Sequence, residues 1–254
     1  MTADAKSSAL LLERLSVTLG PMPPIQGARQ RARAEITAEI VAAARRQLAD
    51  VGPADLSLRA VARELGVVSS AVYRYVASRD ELLTLLIVEA YDSLGERAEQ
   101  AVESSRGQPA GARWIHAAMA VRAWALEHRH EYALVYGTPV PGYEAPQETT
   151  PSGTRVSFAL LTIVREAWAA GEIDVPTGPP ITPELSADLE RFRSTVDLPA
   201  PDAVLVRTLA AWTQLFGLLS FELFSQTRGV VEHHDDLFTA TAAAMAVQLG
   251  LALD

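Results

Sequence analysis

The stretch SLRAVARELGVVSSAVYRYVASRDEL, from Ser57 to Leu82, decides the fold of this 254-residue chain. Ser57 stands where a hydroxyl caps a short helix, and Leu58, Val61, Ala62 and Leu65 then recur at helical spacing to face inward. Gly66 ends it, because glycine takes the left-handed turn conformation without steric cost. A second short helix is predicted from Ser69 to Tyr75. Ser78 and Glu81, three residues apart and ahead of Leu82, Leu83, Leu85, Leu86 and Ile87, form a capping-box signature for a long helix running to Ser105. Upstream the chain turns basic at Arg29. Ile36, Ile40, Val41, Ala44 and Leu48 then share one helical face until Gly52 and Pro53 stop it.

Two short helices across a glycine have the layout of a helix-turn-helix. The first braces the second, which puts its N-terminal side chains into the DNA major groove. Residues Ser57 to Val67 and Tyr73 to Leu82 resemble the N-terminal signature of the tetracycline-repressor (TetR) family, and the match is close over residues 35–85. The resemblance implies a dimeric, DNA-binding transcriptional regulator. It places base or phosphate contacts at Val68, Ser69, Ser70, Ala71, Tyr73, Arg74 and Tyr75, and backbone contacts at Ser57, Arg59 and Arg79. Arg33, in the basic stretch, joins the expected DNA contacts. Arginines suit phosphate or guanine, and tyrosine hydroxyls suit phosphate oxygens. Val68 and Ala71 stand where the family often has a hydroxyl residue and Val76 where it often has phenylalanine, which implies a sparser, more apolar contact set. A purely solvated face is the bland account of Arg59, Arg63, Arg74 and Arg79. In this motif context DNA contact is the reading adopted.

The net charge of −9 argues against nucleic acid only while it is averaged over the chain. Residues 1–80 carry 11 basic and 8 acidic side chains, whereas residues 81–254 carry 11 and 23. An acidic body repels the phosphate backbone and orients the basic end toward it. There are 0 cysteines, which removes disulfide frameworks, thiolate metal sites and cysteine nucleophiles. The longest strongly apolar run, Leu82 to Val88 interrupted by Thr84, is far short of a membrane span, and nothing frames the N-terminus as a signal peptide. A cytoplasmic protein with no membrane partner is expected.

The whole chain reads as all-α. Residues 1–28 form an arm rich in proline, residues 29–80 a three-helix DNA-binding domain, and residues 81–254 a larger helical domain joined to it by the long helix. Further helices are predicted at 110–136, 154–171, 183–196, 202–227 and 235–252, with loops at Gly137–Gly153 and Glu172–Pro183. The resemblance implies that the larger domain dimerises and encloses a small ligand. Trp212 to Phe224 resembles the tryptophan-histidine-glycine type of C-terminal domain, with Phe216 in the histidine's place. The last two helices are apolar around much of their girth. Trp212, Gly217, Phe221, Phe224, Ala240 and Ala244 are expected at a dimer interface, and the small residues Ala242, Ala243 and Ala246 would also let helices approach closely. Closure of the monomer's own core would account for the same pattern. Tyr91, Trp114, Met119, Trp124, Tyr132, Trp168 and Phe216 are the candidate walls of a ligand pocket, each of which core packing would also explain.

An enzyme would need a constellation. His128 and His130 beside Glu127 and Glu131 are two apart and face different sides of a helix, unlike a helical zinc pair. His233, His234, Asp235 and Asp236 lie between helices, where an aspartate more simply caps the next one. With no phosphate-binding glycine loop and no GxSxG, no catalytic residue, metal or cofactor is assigned. The expected function is a repressor released from a palindromic operator by a small molecule. An activator, or a regulator controlled by a protein partner, would use the same motif.

Overall fold

The computed structural model describes residues 25–175 and 180–254, so the expected arm lies outside the described residues as far as residue 24. The described residues form α1 (Ile25–Val51), α2 (Leu58–Glu64), α3 (Ser69–Val72), α4 (Arg79–Ser104), α5 (Ala110–Glu127), α6 (Arg129–Tyr136), a 3-10 turn (Gln147–Thr149), α7 (Thr150–Ala169), α8 (Pro183–Val196), α9 (Asp202–Leu223) and α10 (His234–Leu249). Residues 25–28, read in sequence as arm, are the first turn of α1. The helix formers that follow, Ala28 to Ala34, outweigh the roughly 1 kcal/mol that Gly27 costs a helix.

Two apolar cores organise the chain. The smaller joins Ile40 and Leu48 of α1, Val61 of α2, Val72 of α3 and Leu82 and Leu86 of α4. Val76, which stands where the family often has phenylalanine, is fully buried within it. The larger core is built from α5, α7, α9, α10 and the distal part of α4, whose Leu94 and Ala98 point into it. Thus α4 starts in one core and ends in the other.

The helix predicted over 110–136 is broken. His128 leaves the helical region at φ −120 and ψ 49, separating α5 from α6. Its ring stacks on Trp124 at 5.0 Å. The break lets α6 serve both cores: Leu134 packs in the smaller and Tyr132 in the larger, while Glu131 lies 3.3 Å from Arg45 of α1. α3 also ends early, after Val72, and Tyr75 N–H and Val76 N–H continue as a turn onto Val72 O. α7 begins at Thr150, four residues before the predicted start, because Pro151 is tolerated in a first helical turn.

α7 lies along α4 more extensively than any other pair of helices pack. The crossing is at Gly95, where an added Cβ would fall 2.6 Å from Arg155 Cβ. Arg155 reaches over that crossing and donates to Glu99 Oε1 and Oε2 at 2.9 and 2.6 Å and to Asp92 Oδ1 at 2.9 Å. α9 is long and apolar enough by composition to cross a membrane. Here it packs one side, Leu205, Ala211, Leu215 and Leu219, into the larger core.

Candidate nucleic-acid interface and ligand cavity

The DNA-reading geometry rests on backbone-directed bonds. Gly66, at φ +68, makes the turn between α2 and α3, and Val67 N–H closes it onto Ala62 O at 2.9 Å. Ser78 Oγ accepts from Glu81 N–H at 3.1 Å, as a capping box requires. The Glu81 carboxylate returns to Ala77 N–H at 2.6 Å, one residue earlier than the usual partner. Ser57 has the extended backbone of a cap, but its hydroxyl makes no cap bond. Its own N–H donates to Gln47 Oε1 at 2.7 Å instead.

The expected DNA contacts fall into two groups. Arg59, Val68, Ser70, Tyr73 and Arg74 are exposed on the outer side of α2 and α3, with Val68 at 71%. Arg33 and Arg79 hold the motif together. Arg79 donates to Pro53 O and Ala54 O at 2.8 and 3.0 Å, tying the start of α4 to the loop that follows α1. Arg33 donates to Arg74 O at 3.3 Å and sits over the Tyr75 ring at 5.4 Å. Ser69, Ala71 and Tyr75 are half-buried between these groups. Two surface hollows flank α3. One gathers Ser57, Arg59, Tyr73 and Arg79; the other gathers Arg29, Arg33, Arg74 and Tyr75. Arg29 was not singled out as a contact from sequence, although the basic stretch that begins there was its signal.

In the body, a cavity of about 140 Å³ opens among α5, α7, α8 and α9. Its apolar walls are Trp114, Leu160, Leu161, Phe192, Leu209 and Trp212, and its only hydroxyls among the described residues are Ser157 and Thr208. Of the seven aromatic and methionine residues expected around a ligand, only Trp114 is there. Tyr91, Tyr132 and Phe216 belong to a separate aromatic cluster centred on Tyr136, whose ring lies 4.5 Å from Phe216 and 5.1 Å from Tyr132. Their polar tips already have partners: Tyr132 Oη donates to Phe216 O at 3.2 Å and lies 3.0 Å from Ser220 Oγ, and Tyr91 Oη donates to Val135 O at 3.3 Å. Burial pushes the Tyr132 phenol up to about 12. Trp124 Nε1 donates to Ser93 Oγ at 2.9 Å, Trp168 Nε1 to Pro199 O at 3.0 Å, and Met119 faces Thr239 on α10. Composition alone did not mark the leucines and phenylalanine that form the walls.

Trp212, expected at a dimer interface, lines this cavity while remaining 39% exposed. Gly217, Phe221 and Phe224 on α9, and Ala240, Ala244 and Val247 on α10, are likewise exposed. Ala242 and Ala246, two of the alanines read as allowing close helix approach, instead lie in the larger core. Asp235 is engaged by Arg122, which also holds Glu222 through two bonds of 2.8 and 2.6 Å. That buried guanidinium ties α5 to α9 and α10. Among the described residues no three His, Asp or Glu side chains are grouped to hold a metal ion.

Comparison with known proteins places these features in one family. Residues 40–86 match the model of bacterial regulatory proteins of the tetR family, and residues 114–245 match a tetracyclin repressor-like C-terminal domain. HTH-type transcriptional regulators of Mycobacterium bovis and Mycobacterium tuberculosis are each 43% identical over 79% of this chain and 86% of theirs. Among solved structures, the candidate regulatory protein SCO4313 superposes with a TM-score of 0.69 at 36% identity, covering 85% of this chain and 97% of its own. A protein of unknown function from Rhodococcus sp. RHA1 gives 0.64 at 28% identity, over 84% of this chain and 94% of its own. The TetR family regulator PfmR from Thermus thermophilus, at 15% identity and a TM-score of 0.52 over 81% of this chain and 96% of its own, shares the fold. With its reading head, its helical body and close relatives that are transcription regulators rather than enzymes, the chain belongs to the TetR family of transcriptional regulators.

Proposed function

We propose that this regulator is a repressor that binds a palindromic operator as a homodimer and leaves it when a small molecule enters the α5–α7–α8–α9 cavity. The observation that carries the DNA-binding part is the outward face of α2 and α3. There Arg59, Tyr73 and Arg74 are exposed while Arg33 and Arg79 fix the backbone that presents them. TetR family regulators bind DNA and form dimers, and the exposed apolar stripe from Gly217 to Phe224 and Ala240 to Val247 offers a self-complementary four-helix contact. A two-fold axis through that stripe makes the operator palindromic.

The release step follows from where the cavity lies. It touches α7, which packs along the helix carrying the head, and α9, which carries the proposed dimer contact. A ligand that favours a different angle between α7 and α9 changes the spacing of the two heads. Typical coupling of this kind amounts to about 1–3 kcal/mol.

Selection of bound sequences from random duplex DNA tests the DNA-binding part. A palindromic winner is expected, with binding that falls steeply with salt. Arg74→Ala should weaken it by about 1–3 kcal/mol without lowering the melting temperature. No enriched sequence, or binding indifferent to Arg74, would overturn the reading.

A further inference from the structure

The cavity is small, apolar and uncharged, and a side chain of its wall carries a donor with nothing to donate to. Its volume of about 140 Å³ is close to that of apolar protein cavities of about 150 Å³ that admit a benzene ring. None of the described lining residues is ionisable, so a carboxylate or ammonium would enter without a counter-charge among them, at high cost. Trp114 is 1% exposed, and its Nε1 is buried without an acceptor among the described residues. The indoles of Trp124 and Trp168 both have one. A buried donor left unmet carries its full desolvation penalty, which a ligand oxygen would relieve. Thr208 cannot duplicate this role, because its hydroxyl proton is donated to Val204 O at 2.9 Å.

We propose that the cavity takes a neutral molecule of single-ring size whose carbonyl or ether oxygen accepts from Trp114 Nε1. The inference rests on the cavity being the effector site and narrows the effector's chemistry. Seated there, the molecule contacts Leu160 and Leu161 of α7 on one side and Leu209 and Trp212 of α9 on the other. It therefore bears on both helices whose angle the release mechanism needs.

The test titrates the full-length protein, free of DNA, with acetophenone, ethylbenzene and benzoate by calorimetry. Acetophenone and ethylbenzene share a ring and similar bulk and differ in the acceptor, while benzoate adds a charge. Acetophenone should bind wild type more tightly than ethylbenzene, by on the order of tenfold, equivalent to about 1.4 kcal/mol. Trp114→Phe, which keeps a ring and removes the N–H, should erase that preference by weakening acetophenone alone. Leu209→Trp should block both neutral probes by filling the cavity. Equal affinities of the two neutral probes for wild type, unchanged binding in Leu209→Trp, or benzoate as the tightest probe would each overturn the proposal. If Trp114→Phe does not fold, the wild-type preference and the Leu209→Trp result decide it. Operator binding is measured separately. Acetophenone that binds through Trp114 yet leaves operator affinity unchanged supports the ligand class and refutes the release mechanism.

Discussion

Arginine does different work in the body of this molecule and on the α2–α3 face of its head. In the body, Arg122 holds Glu222 and Asp235, Arg155 holds Asp92 and Glu99, and Arg193 holds Asp202, so each guanidinium is matched to carboxylates. In the head, Arg45 and Arg46 also pair with Glu89 and Glu64, but around α2 and α3 Arg33 and Arg79 hold backbone carbonyls, which carry no net charge, and Arg59 and Arg74 bond no carboxylate among the described residues. These body cations are thus matched to carboxylates of the body, while the outward face of α2 and α3 keeps Arg59 and Arg74 available. The basic-to-acidic gradient legible in the sequence therefore includes arginines on the α2–α3 face that are unpaired among the described residues.

The largest effect expected from breaking this contrast is at Arg122. Arg122→Ala leaves Glu222, whose side chain is only 12% exposed, as a charge without its partner, and should cost about 3–5 kcal/mol of body stability by chemical denaturation. Methionine at the same place should cost less if Glu222 is changed to glutamine with it.

A second test uses the body's buried phenol. Tyr132 has its phenol raised to about 12 in the folded protein, mainly by burial, so the folded state holds that proton more firmly than the unfolded chain, near 10. Its stabilising contribution is fully present below pH 10 and is lost as pH rises through 12. About 2–3 kcal/mol from Tyr132 should disappear across that window, beside the losses from Tyr136 and Tyr91, whose phenols burial also raises, so Tyr132→Phe should reduce the total loss in a pH series of denaturant melts.

At the α4–α7 crossing, Gly95→Ala puts a methyl 2.6 Å from Arg155 Cβ and pushes the two helices apart. Overpacking of this kind costs about 1–3 kcal/mol. A fall in melting temperature is expected, together with loosening of the Arg155 ion pairs visible as a weaker salt dependence of stability. The smallest effect belongs to the head. Ser57→Ala should change stability by less than about 0.5 kcal/mol, because its hydroxyl caps nothing. Any loss it produces should be in operator affinity and in the salt slope.

Local chemistry explains what was legible beforehand. The helix-turn-helix could be read from sequence because each of its determinants, the Gly66 turn, the Ser78 cap and the α2 apolar face, acts within a few residues. The break at His128 could not, since Trp124, His128 and Tyr132 keep a helical spacing and the departure depends on packing against α1 and α4. The cavity was illegible for the same reason. Its walls come from four helices, and two of the seven residues read as pocket walls, Tyr91 and Tyr132, bond Val135 O and Phe216 O in a different part of the body. Arg33 was read as a DNA contact, but its bonds to the Arg74 and Tyr75 carbonyls just past α3 need α1 to cross that end of the motif, which spacing does not report.

The divided allegiance of α6 sets a rule for anyone wishing to graft this reading head onto another sensor. Leu134 and Val140 complete the hydrophobic floor beneath α1 and α4, and Arg45 finds Glu131 there. A chimera cut at residue 80 would strip that floor away, together with Leu82, Leu83 and Leu86 of α4, and leave Ile40 and Leu48 of α1 against whatever foreign surface replaced them. The transplantable cassette is discontinuous: residues 25–91 together with 128–143, carried as a matched pair.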